Sequence, residues 1–318
     1  MRSGSRPAVR TPTPAAAGRD LTRLKPLGIG LGYQVQLRDY IRTRRDRFDF
    51  LEVVPDILWT DLGRGARPRY RDIEQDVAFI GEVARAMPVI PHSIGLSIGS
   101  AHRYEREHVE QMARWFDRLH FPWHSDHLAF HLTEGNPQEI NLNLTMPVTF
   151  DRETLDLVTR RILDVQRRIA APFLIENNVA YFEYPESTFD EPGFLNALTA
   201  ATGCGLLLDL HNLHTNARNL AVDPAAFLDR LDLDRVVEIH VAGGLEFDGF
   251  YLDAHSGASP EAVWALLEEV LPRCRNVCGV VFELFGSWFE ELGAEGLDRQ
   301  LGRMRDLWAK HRAQPLAA

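Results

Sequence analysis

The segment GLLLDLHN at residues 205–212 runs an apolar stretch straight into Asp209 and His211. A short, continuous apolar run of this kind reads as a strand buried on both faces of a parallel sheet. Ionisable groups at the end of a buried strand are costly unless they meet a partner or a metal. The same pattern recurs along the chain. His92 follows MPVIP, Asp126 and His127 lie in FPWHSDHLAF, and His240 closes VVEIH. Repeated strand ends of this type point to strands that converge and build one polar site from their ends.

Working outward, eight strands are read at 27–32, 48–54, 88–96, 123–130, 173–177, 205–210, 235–241 and 279–284. Helical patterns fall between them. Asp151 reads as an N-cap with Glu153 in the first turn, followed by Val158, Ile162, Val165 and Ile169 at helical spacing. Ser259 and Pro260 mark another start, with proline at the first helical position. The stripe Val263, Leu266, Leu267, Val270 and Leu271 then runs into Pro272. Strand and helix alternating about eight times predict an α/β fold, the (β/α)8 TIM barrel. A doubly wound open sheet would carry G-x-G-x-x-G after its first strand. The run of alternating glycines at 28–32 instead lies inside a strand and lacks the later glycine.

The 318 residues are 45% hydrophobic and 25% charged, with a formal net charge of -10. With a pI near 5.7, this composition argues against a broad nucleic-acid surface, which needs clustered Lys and Arg. The basic stretch at 38–47 reads as solvated. No run approaches the roughly 18 apolar residues of a membrane-spanning helix. The three cysteines, Cys204, Cys274 and Cys278, form neither a disulfide framework nor a paired zinc motif and fit a reducing cytoplasm. Residues 1–25, rich in Arg, Pro, Ala and Thr, are expected to be a disordered tail, with a single domain over 26–312.

The candidates at the strand ends are Glu52, Asp56, His92, Asp126, His127, Glu176, Asn177, Asp209, His211, His240, Asp253, His255 and Glu283. Imidazole mixed with carboxylate is a ligand set for iron, manganese or zinc, with no thiolate required. Asp209 and His211 stand two apart and share a side if extended, as do Asp253 and His255. His124 and His127 are read as lying opposite Asp126, where they pack or hydrogen-bond. His102, His108 and His120 fall in a helical segment as surface or packing residues. Asn212, Asn216 and Asn219 read as turn residues. His214 is placed to contact substrate, and Arg218 to pair with an acid or a substrate carboxylate.

The ordered segments HSIGLSIG, SDHLAF, LIENNVAYF, LLLDLHNLHTNARN, EIHVAGG, DAHSG and VVFEL resemble one family. It is that of the multinuclear non-heme iron-dependent oxidative enzymes, and the resemblance runs from about residue 28 to 308. It implies a TIM barrel with two or three irons, Fe(II)/Fe(III), at its mouth and O2 as co-substrate. The implied substrate is a ribosomally made precursor peptide, modified at cysteine or another residue and often presented by a small partner protein. Neither nucleic acid nor membrane is implied. Carried onto this sequence, the metal ligands are His92, Asp126 (where the family usually has Glu), Asn177, Asp209, His211, His240, Asp253, His255 and Glu283. Asp126 and Asp209 would bridge metals, and Glu283 or His214 would move protons. The stretch at 52–56 lacks a histidine that many members carry. The competing expectation is a zinc or manganese barrel hydrolase or sugar isomerase of the endonuclease and xylose-isomerase-like type.

Overall fold

In the computed structural model, which describes residues 20–135 and 140–313, eight parallel strands close into one barrel. In chain order they are β1 (Gly28–Gly32), β2 (Phe50–Val53), β3 (Val89–Ser93), β4 (His124–His127), β5 (Phe173–Glu176), β6 (Gly205–Asp209), β7 (Val236–Ala242) and β8 (Gly279–Glu283). Each pairs with its sequence neighbours, and β8 returns to β1 with Gly279 opposite Gly28. Each strand read from the sequence supplies one barrel strand, trimmed at its ends except that β7 runs one residue further, to Ala242. The run at 123–130 divides: after β4 the chain enters Ala129–Thr133, which pairs antiparallel with Ile140–Pro147 as an unforeseen hairpin.

Alternation along the strands sorts side chains into two cores. Outward residues such as Ile29, Leu51, Leu206 and Ile239 pack under the helices. Inward residues Phe50, Ile90, Trp123, Leu174, Leu207 and Val281 fill the barrel floor. Burying each such side chain contributes roughly 1.5–3 kcal/mol. The floor explains Gly30 of β1 and Gly279 of β8. A Cβ on Gly30 would lie 2.5 Å from the Phe50 ring, and one on Gly279 would lie 2.7 Å from it.

The helix Arg152–Arg168 starts where the sequence predicts, with the Asp151 side chain accepting from Thr154 N at 2.8 Å. Ile169 is its C-cap rather than part of the stripe. The helix Glu261–Val270 begins one residue later than read, with Pro260 outside it as N-cap. Residues 1–19 of the expected tail lie outside the described residues. Within 20–25, Leu21 is buried in the floor cluster, so the packed domain reaches back at least that far. No helix among the described residues is long and apolar enough to cross a membrane. The three cysteines are free and buried.

Candidate metal centre

The inward alternation that fills the floor with apolar side chains delivers ionisable ones two residues further along. Phe50 is followed by Glu52, Ile90 by His92, Leu174 by Glu176, Leu207 by Asp209 and Val281 by Glu283. Along β4 the inward sequence is Ser125, His127, preceded by Trp123 just before the strand, and in β7 it is Glu238, His240. Register keeps these groups level, with His127 opposite Glu176 and Asp209 opposite His240.

Three overlapping triads result: His92, His127 and Glu176; Glu52, His240 and Glu283; and Glu176, Asp209 and His240. Within each, the ligand-type atoms lie within 4.8 Å of one another. His240 reaches Glu52 Oε2 through Nε2 and Glu283 Oε2 through Nδ1, both at 3.1 Å. His92 Nε2 and His127 Nε2 both approach Glu176 Oε2 at 3.2 Å. A second tier sits beside these. Asp253 Oδ1 lies 2.8 Å from His211 Nδ1 and 3.2 Å from His255 Nε2. His255 Nε2 is also 3.7 Å from Glu283 Oε2. A cavity of about 650 Å³ opens above the triads, rimmed by Tyr33, Leu144, Tyr181 and Phe285.

The electrostatics fit a cation. His127 Nδ1 lies 3.2 Å from the Ser93 carbonyl, an oxygen that can only accept, so Nδ1 carries the proton. Burial holds His127 below its ordinary value, which leaves Nε2 as a lone pair facing Glu176 Oε2. His92 Nδ1 lies 2.9 Å from Ser125 Oγ, a hydroxyl able to accept its proton, and burial again disfavours the charged ring. Glu176 Oε2 has no hydrogen bond despite these approaches, and Asp209 Oδ2 has none either. Burial pushes the carboxyl groups of Glu52, Glu176 and Asp209 upward. Burial acts the same way on Glu283, but His240 and His255 outweigh it and hold that carboxylate low. Buried lone pairs aimed at buried carboxylate oxygens are what a shared metal ion satisfies, and the nitrogen and oxygen donors suit iron, manganese or zinc.

The sequence-predicted residues divide accordingly. His92, Asp209, His240 and Glu283 enter the triads, and His211, Asp253 and His255 form the adjoining tier. Asp126 does not join them. It shares the outer face of β4 with His124, and its Oδ1 accepts from its neighbour's amide, His127 N, at 2.8 Å. This corrects the sides of β4 expected from the sequence: His124 and Asp126 are an even step apart, and His127 is the inward residue. Asn177 lies one residue past β5. Its Nδ2 donates to Asp209 O and its Oδ1 accepts from Asp209 N, so it splices two strand ends while Glu176 faces the site.

His211 does not extend a strand. Asp209 caps the helix Leu210–Leu220 through Oδ1, which accepts from Asn212 N at 2.8 Å, and His211 lies in its first turn. His214 lies outside the triads, its ring 6.5 Å from that of His211 and 5.1 Å from that of Tyr251. Arg218 pairs with Glu246 and lies over the Tyr251 ring. His108, on the helix Arg106–Leu119, is buried 3.4 Å from Asp56 Oδ1. Asn212, read as a turn residue, donates from Nδ2 to Glu176 Oε1 at 3.2 Å and orients that carboxylate. Glu52, His127 and Glu176 were recognisable by counting in twos from Phe50, Trp123 and Leu174.

Fold and site define the class: a TIM-barrel protein with a buried constellation of metal-ligand type at its mouth. The chain belongs to the family of RiPP precursor modification enzymes MbnB/TglH/ChrH, which it matches over residues 28–285. RiPPs are ribosomally synthesised, post-translationally modified peptides. Relatives include a UPF0276 protein of Chromobacterium violaceum, 33% identical over 223 residues, covering 70% of this chain and 78% of the relative. Another, from Caulobacter vibrioides, is 30% identical over 255 residues, covering 80% and 86%. Two solved structures share the fold alone. Endonuclease IV from Thermus thermophilus has 16% identity and a TM-score of 0.54, covering 90% of this chain and 99% of that one. D-psicose 3-epimerase with D-tagatose from Clostridium cellulolyticum has 12% identity and a TM-score of 0.55, covering 92% and 100%.

Proposed function

We propose that this protein is an iron-dependent oxidoreductase that uses dioxygen to modify cysteine, or another residue, in a ribosomally synthesised precursor peptide. The observation that carries this reading is the meeting of His92 Nε2 and His127 Nε2 at Glu176 Oε2, buried and without hydrogen bonds. Glu176 belongs to two triads and would help to hold metal in both. His92 and His127 would complete one side, and Asp209, His240, Glu52 and Glu283 the other. Bound iron would supply redox chemistry with dioxygen at a mouth open to the peptide.

The protein's own groups do the remaining work. Asn212 fixes the Glu176 carboxylate, and Ser93 O and Ser125 Oγ fix the two imidazoles. Burial opposes a charge on His255, but Asp253 and Glu283 outweigh it and raise that ring to about 10. In the metal-free protein its Nε2 therefore holds a proton at the edge of the mouth. Tyr181 and Phe285 narrow the entrance around the reacting residue. Three buried free thiols suit a reducing cytoplasm, and a small partner protein would present the peptide.

The test is to incubate iron-loaded protein with the products of short cysteine-containing reading frames sought near its gene, with and without O2, and to follow peptide mass. A mass change that requires both iron and O2 supports the reading. Turnover of a sugar or phosphoester with manganese or zinc and no O2 would replace it with the hydrolase or isomerase.

A further inference from the structure

A second cavity, of about 780 Å³, lies behind the loop that follows β5, and the chemistry above does not use it. The loop at 177–184 is a partition. Val179 and Tyr181 line the barrel mouth. Asn178, Ala180 and Phe182 line the second cavity, and from Phe182 onward the chain stays on that side. The alternation up to Phe182 is that of an extended chain, so one thickness of backbone separates the two spaces. Both sides of the partition are tied down. Ala180 N donates to Asn216 Oδ1 at 2.7 Å, and Asn216 Nδ2 donates to Asn178 O at 3.1 Å. Across the mouth, Asp253 N donates to Tyr181 Oη at 3.0 Å.

The second cavity has a definite chemistry. Phe150, Phe182, Tyr184, Phe189, Leu220 and Phe227 give it an aromatic and aliphatic lining. Phe182 is 41% exposed, an aromatic ring held open at the cavity's edge. The charged lining is acidic, with Glu183, Asp190, Glu191 and Asp223 against Arg230 alone. Arg230 is occupied, donating to Asp190 Oδ1 at 3.0 Å. Asp223 is also occupied, as the N-cap of the helix Pro224–Arg230. Glu191 accepts from the Asn178 backbone amide, and burial pushes its carboxyl up to about 8. Asn178 Oδ1, buried in the same wall, has no hydrogen-bond partner among the described residues. Such a space rejects phosphates and carboxylates. It favours an apolar body with a donor or cation beside it, and its volume lies in the range of roughly 300–1,000 Å³ typical of ligand sites.

We propose that this cavity anchors the peptide substrate at a point away from the modified residue, taking an aromatic side chain whose neighbour is Lys or Arg. The identity of the occupant rests on the peptide-modifying reading above; the chemistry of the cavity does not. Binding energy gained at a remote anchor holds the reacting residue over the mouth and is available to the chemical step.

The test is calorimetric titration of metal-loaded full-length protein with three capped octapeptides that differ only at their centre: Phe-Lys, Phe-Glu and Ala-Lys. The Phe-Lys peptide should bind at least tenfold more tightly than either of the others. Ala226→Trp, at an exposed lining position on the helix Pro224–Arg230, should weaken that binding at least tenfold with melting temperature and metal content unchanged. Glu183→Gln, at the exposed carboxylate of the lining, should erase the preference for Phe-Lys over Phe-Glu and keep that over Ala-Lys. Equal binding of all three peptides, or indifference to both substitutions, overturns the proposal. A protein that binds the peptides as described but loads no iron sinks the functional reading alone. One that loads iron and binds all three alike sinks the anchor alone.

Discussion

The floor and the mouth of the barrel occupy the same inner faces of the same strands, two residues apart, yet they are opposite in character. Phe50, Ile90, Leu174, Leu207 and Val281 form a dry apolar plug. Glu52, His92, Glu176, Asp209 and Glu283, each one inward step further on, crowd carboxylates and imidazoles into a buried space. The floor contributes stability through burial. The mouth costs stability until a cation satisfies it, because uncompensated buried charge is unfavourable. A closed barrel tolerates such a mouth because its floor and its outer helical layer are already packed. Glu238 marks the boundary. It is an acid at floor level, accepts from Trp123 Nε1 at 2.7 Å, and is pushed by burial to about 8.

The contrast can be broken at the mouth first. Glu176→Ala should remove bound metal and lower turnover by more than the roughly 100-fold typical of outer-shell changes. Asp126→Asn, on the outer face of the neighbouring strand, should leave metal content unchanged. Elemental analysis of both variants decides between the structural placement and the resemblance-based assignment of Asp126. At the floor, Trp123→Ala should cost roughly 3–5 kcal/mol in denaturant unfolding of the metal-free protein, through a cavity at the centre of the plug. A loss below about 1 kcal/mol would mean that the floor does not stabilise the barrel.

A smaller effect tests the support of the mouth. Asn212→Ala removes the donor that orients Glu176, and metal affinity should fall by roughly 10–100-fold, read by chelator competition. The smallest concerns His214, which burial lowers from 6.5 to about 4. Between those values the unfolded chain takes up a proton that the folded protein refuses. Stability therefore falls as pH drops through the window. His214→Gln should flatten that part of the pH–stability curve and leave metal loading intact. Loss of metal in this variant would return His214 to the site.

The barrel was legible because parallel strands buried on both faces appear as uninterrupted apolar runs, and several of the eight strands are such runs. The mouth was legible in its residue types and less so in its parity. At the end of β4 a one-residue difference decides whether Asp126 or His127 faces inward, and the polar run His-Ser-Asp-His carries no apolar alternation to settle it. The reference point was Trp123, whose inward side chain puts His127 inside. At the end of β5 the resemblance drew attention to Asn177, while Leu174 sets the parity for Glu176. His211 was misjudged for a different reason. Asp209 is both strand end and helix cap, a double role that a periodicity reading does not separate. The hairpin formed by Ala129–Thr133 and Ile140–Pro147 was missed because its first strand continues the run of β4 almost without a break.

The central claim is that the buried mouth holds more than one iron. The direct measurement is elemental analysis of anaerobically purified protein, with Mössbauer spectroscopy on iron-57-loaded material. The account predicts two or more irons per chain, magnetically coupled, and loss of that coupling in Glu176→Ala. Stoichiometric zinc or manganese with little iron after iron-replete expression, or coupled iron that survives Glu176→Ala, would contradict it.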